Sequence, residues 1–222
     1  MNISNQKLGI GIPNNFSMVP SAFFDSWIMM DFPPFVYLRT SQGPIDDMRN
    51  EIVRNAFNSG CTHLIMLDVD QIYGQDTIRR LLSHNKDIVG CMICRRYPPF
   101  DPLMLRGKIN SYQTVKEWTP GELVEVDATG TGCLLFSMEV FRKVPEPWFE
   151  FDHRDTGTVG EDIGFCSKAR AVGYEIYVDT GCTAGHLSNM LVTEDTWRLY
   201  SCLQDAKARH KVEHGVIETR AA

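Results

Sequence analysis

Short apolar runs alternate with helical patterns along the first half of the chain. Four runs bounded by polar or turn-forming residues predict buried strands: 7–12, 35–39, 62–68 and 87–94. Two segments between them carry apolar residues at helical spacing and predict helices: 44–60 and 74–84. From residue 35 onward, the predicted order is therefore β-α-β-α-β.

The second half of the chain is less regular. Residues 97–122 contain four prolines and little periodicity, which indicates an irregular excursion with room for a short hairpin. Later apolar runs predict three strands: 123–127, 132–137 and 174–179. Three helices are predicted at 138–144, 161–173 and 193–211, and a loop rich in aromatic and acidic residues is predicted at 145–162.

Strands that alternate with helices through short connections are typical of a parallel sheet covered on both faces. The fold class predicted for this chain is accordingly α/β, with a mixed, mainly parallel central sheet flanked by helices. Such sheets bind ligands at the carboxyl ends of their strands. Asp68 and Asp70 follow the apolar run LIML, so they are expected at that edge.

Composition places the chain among ordinary globular proteins. Its 222 residues suit one domain, and 43% of them are hydrophobic. A net charge of −6 provides no general basic surface for nucleic acid or anionic membrane, although Arg95 and Arg96 form a local basic pair. No leader pattern and no apolar run of membrane-spanning length is seen, so a cytoplasmic location is expected.

The seven cysteines are scattered, and most lie in apolar runs. They are interpreted as small buried thiols in a reducing compartment, with Cys61, Cys91, Cys133 and Cys166 as the main examples. Cys91 and Cys94 form a single C-x-x-C motif. Neither a second pair nor histidines at ligand spacing follow, so metal or redox use of this motif is not expected.

Asp68 and Asp70 flank Val69 in a D-x-D motif. Two carboxylates at this spacing can reach one divalent cation, and their hard oxygen atoms suit Mg²⁺ or Mn²⁺. The alternative interpretation is a solvated turn after a strand, because short motifs give many false positives. The motif alone does not decide between them.

Three later features bear on the same choice. Gly160, Glu161 and Asp162 open a helix, where acids either stabilise the helix dipole or supply a general base. His186 follows the last predicted strand, and a lone histidine is more often structural than a ligand. The loop 128–132, which includes Gly130, is built of small residues that let a ligand approach the backbone, but it lacks the lysine of a P-loop.

The ordered set of D-x-D, a glycine-rich strand entry, G-E-D-x-x-F and a later histidine resembles the GT-A glycosyltransferases, most closely the family-2-like branch. The most specific segments are DDMRN…HLIMLDVDQ and GEDIGFCSKARAVGYEIYVDTGCTAGH. Compact forms of this kind resemble those encoded by bacteriophages. The resemblance implies one GT-A domain over 1–222, with a nucleotide-sugar-binding half at 1–96, an acceptor and catalytic half at 97–192, and a C-terminal helix and tail at 193–222.

The resemblance also implies roles for individual residues. Asp68 resembles the acid that contacts the ribose and the metal shell, Asp70 the direct metal ligand, and His186 the third metal ligand. Asp162 resembles the catalytic base of inverting members, with Glu161 as its rival at the same helix start. The remaining residues implied to contact donor or acceptor are Pro13, Asn15, Arg49 and Val69 for the nucleotide, and Gly130, Trp148, Phe149 and Glu161 for the acceptor.

Arg49 shares its predicted helix with Asp46 and Asp47, so a surface ion pair is the alternative to a donor contact. Two features depart from the family pattern. The loop after the first strand, PNNFSMVPS, lacks the usual acid that contacts the nucleobase, and no Q-x-x-R-W motif follows G-E-D. The second departure argues against a processive polymerase.

The expected function is a metal-dependent transfer of one sugar from a UDP-sugar to a hydroxyl acceptor, by an inverting mechanism with Mn²⁺ or Mg²⁺. The acceptor classes left open are a glycan, a protein side chain, a lipid-linked sugar and a hydroxymethylated DNA base, of which DNA is disfavoured by the acidic balance. A nucleotidyltransferase and a non-catalytic nucleotide-sugar-binding module are the alternatives. The first would normally carry a Gly-rich, Lys/Arg-bearing first loop, which GIPNNFS lacks.

Overall fold

The computed structural model describes residues 6–154 and 157–188, together with six residues of the C-terminal part: Glu194, Arg198, Leu199, Cys202, Leu203 and Ala206. The chain divides into two compact units, Met1–Leu187 and Ser188–Ala222. The six described residues within the predicted helix 193–211 are helical, and the rest of that segment lies outside the described residues. None of the described helices has the length and apolar character needed to cross a membrane.

The first unit alternates strands and helices through most of its length. Its first half contains β1 (Leu8–Gly11), α1 (Ser21–Met29), β2 (Phe35–Leu38), α2 (Ile45–Asn58), β3 (His63–Leu67), β4 (Gln71–Ile72), α3 (Thr77–Ser83) and β5 (Ile88–Ile93). Its second half contains β6 (Leu105–Arg106), β7 (Gln113–Thr114), β8 (Leu123–Val126), β9 (Cys133–Ser137), α4 (Met138–Lys143), β10 (Asp152–Arg154), β11 (Gly157–Val159), α5 (Glu161–Ala171) and β12 (Ile176–His186).

The central sheet has eight strands in the order β2-β1-β3-β9-β5-β12-β4, with β8 paired to β12. Strands β1, β2, β3, β5 and β12 run in one direction, and β4, β8 and β9 run against them. The predicted mixed, mainly parallel sheet flanked by helices is confirmed. The insertion of β9 between β3 and β5 was not predicted, because an apolar run does not encode strand direction.

Both faces of the sheet are buried, which explains the continuous apolar runs of its central strands. Leu64 and Met66 of β3 belong to one hydrophobic core, whereas Ile65 and Leu67 belong to the other. Glycine allows close helix packing here, because a Cβ atom at Gly11 would lie 2.3 Å from Cγ2 of Ile52 on α2. Helix α2 therefore packs closely against the end of β1.

Several elements differ from the sequence-based expectations. Helix α1 was not predicted, and the loop expected at 145–162 contains the hairpin β10–β11. The irregular excursion at 97–122 does contain a short hairpin, β6–β7. Strand β12 extends past the predicted end at 179 and includes His186, because it pairs with β4 as well as with β5.

The prediction of a buried thiol at Cys91 is wrong, because Cys91 forms a disulfide with Cys182. The two residues lie on the neighbouring strands β5 and β12, with Cα atoms 4.9 Å apart. Their separation of 91 positions hid the pairing from the sequence. The remaining expected thiols at Cys61, Cys133 and Cys166 are free and buried.

Candidate active site

A cavity of about 510 Å³ lies at the carboxyl edge of the sheet. It collects residues from the loops after β1 and β3, from α2, from the loop before β9 and from the start of α5. The sequence-predicted residues that line it are Pro13, Asn15, Arg49, Asp68, Val69, Asp70, Gly130, Glu161, Asp162 and His186. The topology thus brings the D-x-D, the G-E-D and the histidine to one place.

Arg49 joins three elements beneath the cavity. Its side chain on α2 is buried, with Nη2 3.2 Å from Oδ1 of Asp68 and Nε 3.2 Å from Oε1 of Glu161. Burial alone would lower the pKa of Arg49, but the facing carboxylates raise it above its usual value. The alternative of a surface ion pair with Asp46 or Asp47 is therefore wrong.

The adjacent acids at the start of α5 have different surroundings. Glu161 is buried against Arg49, whereas Asp162 accepts a hydrogen bond at Oδ1 from the backbone N–H of Ile163, at 2.7 Å. The other oxygen, Oδ2, faces Gly130, where a Cβ atom would lie 3.7 Å away. Burial raises the pKa of Asp162, with Arg49 opposing and Asp68 adding to the rise, so this carboxyl is more basic than usual.

Asp70 and His186 meet across the pairing of β4 with β12. Nε2 of His186 lies 3.5 Å from Oδ2 of Asp70, and its Nδ1 is 2.8 Å from the carbonyl oxygen of Cys94. A proton on Nδ1 would be donated to that carbonyl, so Nε2 is the ring nitrogen that faces Asp70. Burial tends to lower the pKa of His186, but the hydrogen bond with Asp70 raises it overall.

Arg96 was not predicted as a site residue. Its Nη1 lies 2.7 Å from Oδ2 of Asp70, so a guanidinium stands beside the carboxylate that the family resemblance assigns to a metal. The sequence shows a pair of arginines at residues 95–96. It does not show that Arg96 lies next to Asp70, because that contact depends on the path of the chain after β5. Arg96 also lines the cavity.

The fit of a divalent cation can be tested on these contacts. Within the described part of the chain, no group of three or more His, Cys, Asp or Glu is placed to hold a metal ion. Asp70 and His186 are adjacent and present an oxygen and a nitrogen ligand, whereas Asp68 is engaged by Arg49. The pair can supply two ligands to a cation that takes its other ligands from phosphate and water, provided that Arg96 leaves Oδ2 of Asp70.

Tyr73 was also missed by the sequence analysis. Its buried hydroxyl lies 2.7 Å from the carbonyl oxygen of Asp68 and 2.8 Å from that of Gly132. It therefore holds the D-x-D loop against the small-residue loop before β9. Gly132 has no room for a side chain, because a Cβ atom there would lie 2.0 Å from Nε2 of Gln71.

The prediction that Trp148 and Phe149 form a platform for the acceptor is wrong. Trp148 is buried and donates from Nε1 to the carbonyl oxygen of Phe141, at 2.9 Å. Phe149 is fully buried and stacks on Phe165, with ring centroids 4.7 Å apart. Both rings fill the core beneath α4 and α5, since an aromatic run by itself does not reveal which face it occupies.

Solved structures with a similar fold identify the fold as GT-A-type glycosyltransferase. A197 from STIV matches with a TM-score of 0.55 and 16% identity, over 85% of this chain and 97% of that one. GalNAc-T7 with UDP, GalNAc and Mn²⁺ matches with a TM-score of 0.53 and 13% identity, over 84% of this chain and 44% of that one. S. aureus TarS matches with a TM-score of 0.51 and 13% identity, over 82% of this chain and 36% of that one.

The chain therefore spans less than half the length of GalNAc-T7 and TarS but nearly all of A197. No protein-family model matches the sequence, and no curated protein matches it. At these identities the similarity shows a shared fold, and the chemistry has to be argued from the residues of the cavity.

Proposed function

We propose that this protein is a metal-dependent glycosyltransferase that moves one sugar from a UDP-sugar to a hydroxyl acceptor with inversion. The observation that carries the proposal is the convergence of three groups on one cavity: Arg49 with Asp68, Asp70 with His186, and Asp162. These are the groups needed to bind a donor, neutralise a diphosphate and take a proton. The similarity to a GT-A structure that holds UDP and Mn²⁺ supports this combination.

The donor nucleotide is assigned to the side of the cavity formed by Pro13, Asn15, Asp68 and Val69. Asn15 is tied to the loop before α2, because its Nδ2 donates to the carbonyl oxygen of Gly43 at 2.6 Å and its Oδ1 accepts from the N–H of Gly43 at 3.0 Å. Asn15 would therefore shape the cavity wall that contacts the nucleobase. Arg49 would orient Asp68 towards the ribose.

A divalent cation would be held by Asp70 and His186, with Asp68 nearby in its surrounding shell. When bound, such a cation neutralises charge on the departing diphosphate. Arg96 already places positive charge beside Asp70, so it would have to share or leave this position when a cation binds. The hydrogen bond from His186 to the Cys94 carbonyl keeps the imidazole oriented towards Asp70 whether Arg96 stays or leaves.

Asp162 is the proposed general base. It would take the proton of the acceptor hydroxyl while the acceptor oxygen forms a bond to the anomeric carbon and the bond from that carbon to the diphosphate oxygen breaks. A raised pKa favours this role, because a base works best when its pKa approaches the working pH. Gly130 leaves space beside its Oδ2, and we place the acceptor there, between Gly130 and Glu161.

The test is a thermal-shift screen of nucleotide sugars with Mn²⁺ present and absent, followed by measurement of UDP release from each donor that stabilises the protein. We expect UDP-sugars to raise the melting temperature more with Mn²⁺ than without it. The proposal fails if no nucleotide sugar changes the melting temperature under either condition. It also fails if a nucleoside triphosphate binds in their place, since that result would favour a nucleotidyltransferase.

A further inference from the structure

Large apolar side chains are exposed on three segments of the first unit that follow β1. They lie in the segment before α1, on α1 and on β2, with exposed fractions from 39% to 80%. This surface, called here the α1–β2 face, consists of Met18, Val19, Phe24, Ile28, Met29, Phe35 and Tyr37. Singly exposed apolar residues are ordinary, but a group of this size requires an explanation.

The helical and strand parts of the α1–β2 face are connected. Phe24 and Ile28 are one helical turn apart on α1, and Phe35 and Tyr37 are alternate residues of β2, so each pair shares a face. Trp27 joins the two elements, with its ring 6.2 Å from that of Phe35. The apolar surface therefore continues from the helix onto the strand.

The size of the α1–β2 face corresponds to that of a protein interface. Aromatic side chains have about 150–250 Å² each and the aliphatic ones less, so the exposed fractions amount to roughly 600–800 Å² of surface. The largest apolar patch on a typical monomer is about 300–600 Å². A stable interface buries about 800 Å² on each partner, so the face is large enough for one.

The same region carries an edge strand of the sheet, with Pro33 and Pro34 directly before it. β2 is the end strand of the eight-stranded sheet and pairs only with β1 among the described strands. Edge strands are usually protected by lysine, proline or bulges, and the strand sequence Phe-Val-Tyr-Leu contains neither residue. Residues 8–38 contain no Lys or Arg and only two acids, Asp25 and Asp31.

We propose that the α1–β2 face binds the same face of a second copy of this chain and forms a two-fold symmetric dimer. A two-fold axis beside β2 would place the two end strands antiparallel, where their unpaired backbone groups can continue the sheet across the dimer. Residues 8–38 supply no basic side chain to attract an anionic membrane surface, and the neighbouring Arg79 is paired with Asp31. This lack of basic side chains also means that two copies would meet with little charge to desolvate.

The test is sedimentation velocity of the whole protein over a concentration series from nanomolar to high micromolar. We expect a dimer that dissociates on dilution, and Phe24→Asp or Tyr37→Lys should weaken it by about tenfold or more, since a charge in an apolar interface is left without compensation. Val172→Asp is the matched control, because Val172 is an exposed apolar residue outside the face. It should leave the dimer unchanged.

Melting temperatures show whether each variant is folded, and Ile28→Ser provides a milder substitution if the charged variants are not. A wild-type protein that stays monomeric at every concentration overturns the proposal, as does a dimer that survives the substitutions. Binding to phosphatidylcholine vesicles by a monomeric wild type would show that the face contacts lipid instead. None of these measurements depends on sugar transfer, so the dimer and the proposed function can fail separately.

Discussion

At the residue scale, the site depends on how buried charges are compensated. Arg49 is buried between Asp68 and Glu161, and each of these carboxylates would be left without its cation if the arginine were removed. Buried pairs contribute little net stability compared with apolar substitutes, but removal of one partner is strongly destabilising. The arginine therefore has a structural effect that must be separated from any contact with the donor.

Arg49→Ala is expected to lower the free energy of unfolding by about 3–5 kcal/mol, because two buried or half-buried carboxylates lose their partner. The measurement is urea unfolding followed by circular dichroism. Arg54→Ala on the same helix is the matched control, because Arg54 pairs with Glu146 at the exposed surface. That change should cost about 0–1 kcal/mol. Equal losses in the two variants would mean that the Arg49 pairs are no stronger than a surface pair.

Asp162→Asn is expected to preserve nucleotide binding and to lower turnover by roughly 10² or more, because it removes the base and keeps the shape. The raised pKa of Asp162 should also appear in the wild type. Activity should fall as the pH drops through a value above the ordinary aspartate range, since the base must be ionised to act. The measurement is the pH dependence of kcat/KM.

Asp152→Asn is the control for this change, because Asp152 pairs with Arg154 on β10, outside the lining of the cavity. It should leave the pH profile unchanged. Near wild-type turnover in Asp162→Asn, or a product that retains the anomeric configuration of the donor, would remove Asp162 from the proposed role.

At the element scale, an ion-pair cluster joins α3 to β12. Asp179 is fully buried, with its Oδ2 2.6 Å from Nε of Arg80 and 2.6 Å from Nε2 of His84. Burial alone would raise the pKa of Asp179, but the hydrogen bonds from Arg80 and His84 lower it to about 2. The cluster holds β12, which also carries Cys182 and His186, against the helix layer.

This cluster predicts how stability changes in acid. The folded pKa of Asp179 lies below its unfolded value of about 3.9, so its contribution is fully present above that value and is lost as the pH falls towards 2. The expected contribution is about 2 kcal/mol. Urea unfolding between about pH 6 and about pH 2 would measure this loss of unfolding free energy. Asp179→Asn should show a shallower acid loss, whereas Asp31→Asn, in an exposed pair with Arg79, should not.

Prediction from sequence succeeded where a pattern has one structural solution. Periodicity located α2 and β3, and the rule that parallel strands carry ligands at their carboxyl ends placed Asp68 and Asp70 beside the cavity. It failed where the answer depends on distant segments. The burial of Trp148 and Phe149, the direction of β9 and the pairing of Cys91 with Cys182 are all set by neighbours far along the chain.

At the scale of the whole first unit, the site is divided between distant parts of the chain. Asp70 follows β3, whereas His186 is the last residue of β12, and the antiparallel pairing of His186 with Gln71 brings them together. Arg96, from the segment after β5, completes the group. A cation held by both Asp70 and His186 would therefore link the two predicted halves, 1–96 and 97–192. Because this cation would also contact the diphosphate, the binding of metal and the binding of nucleotide should be coupled.

We expect Mn²⁺ to raise the affinity for UDP by a factor of about 5–150, the usual range for a coupling of 1–3 kcal/mol, and UDP to raise the affinity for Mn²⁺ by the same factor. Asp70→Ala should abolish this coupling, because it removes a ligand of the cation that would contact the diphosphate. Asp47→Ala, at an exposed acid outside the cavity lining, should preserve it. Calorimetric titration of UDP with and without Mn²⁺, and of Mn²⁺ with and without UDP, measures both directions. UDP binding that ignores Mn²⁺ in the wild type would contradict the metal site, and Arg96 would then be the cation that faces the diphosphate.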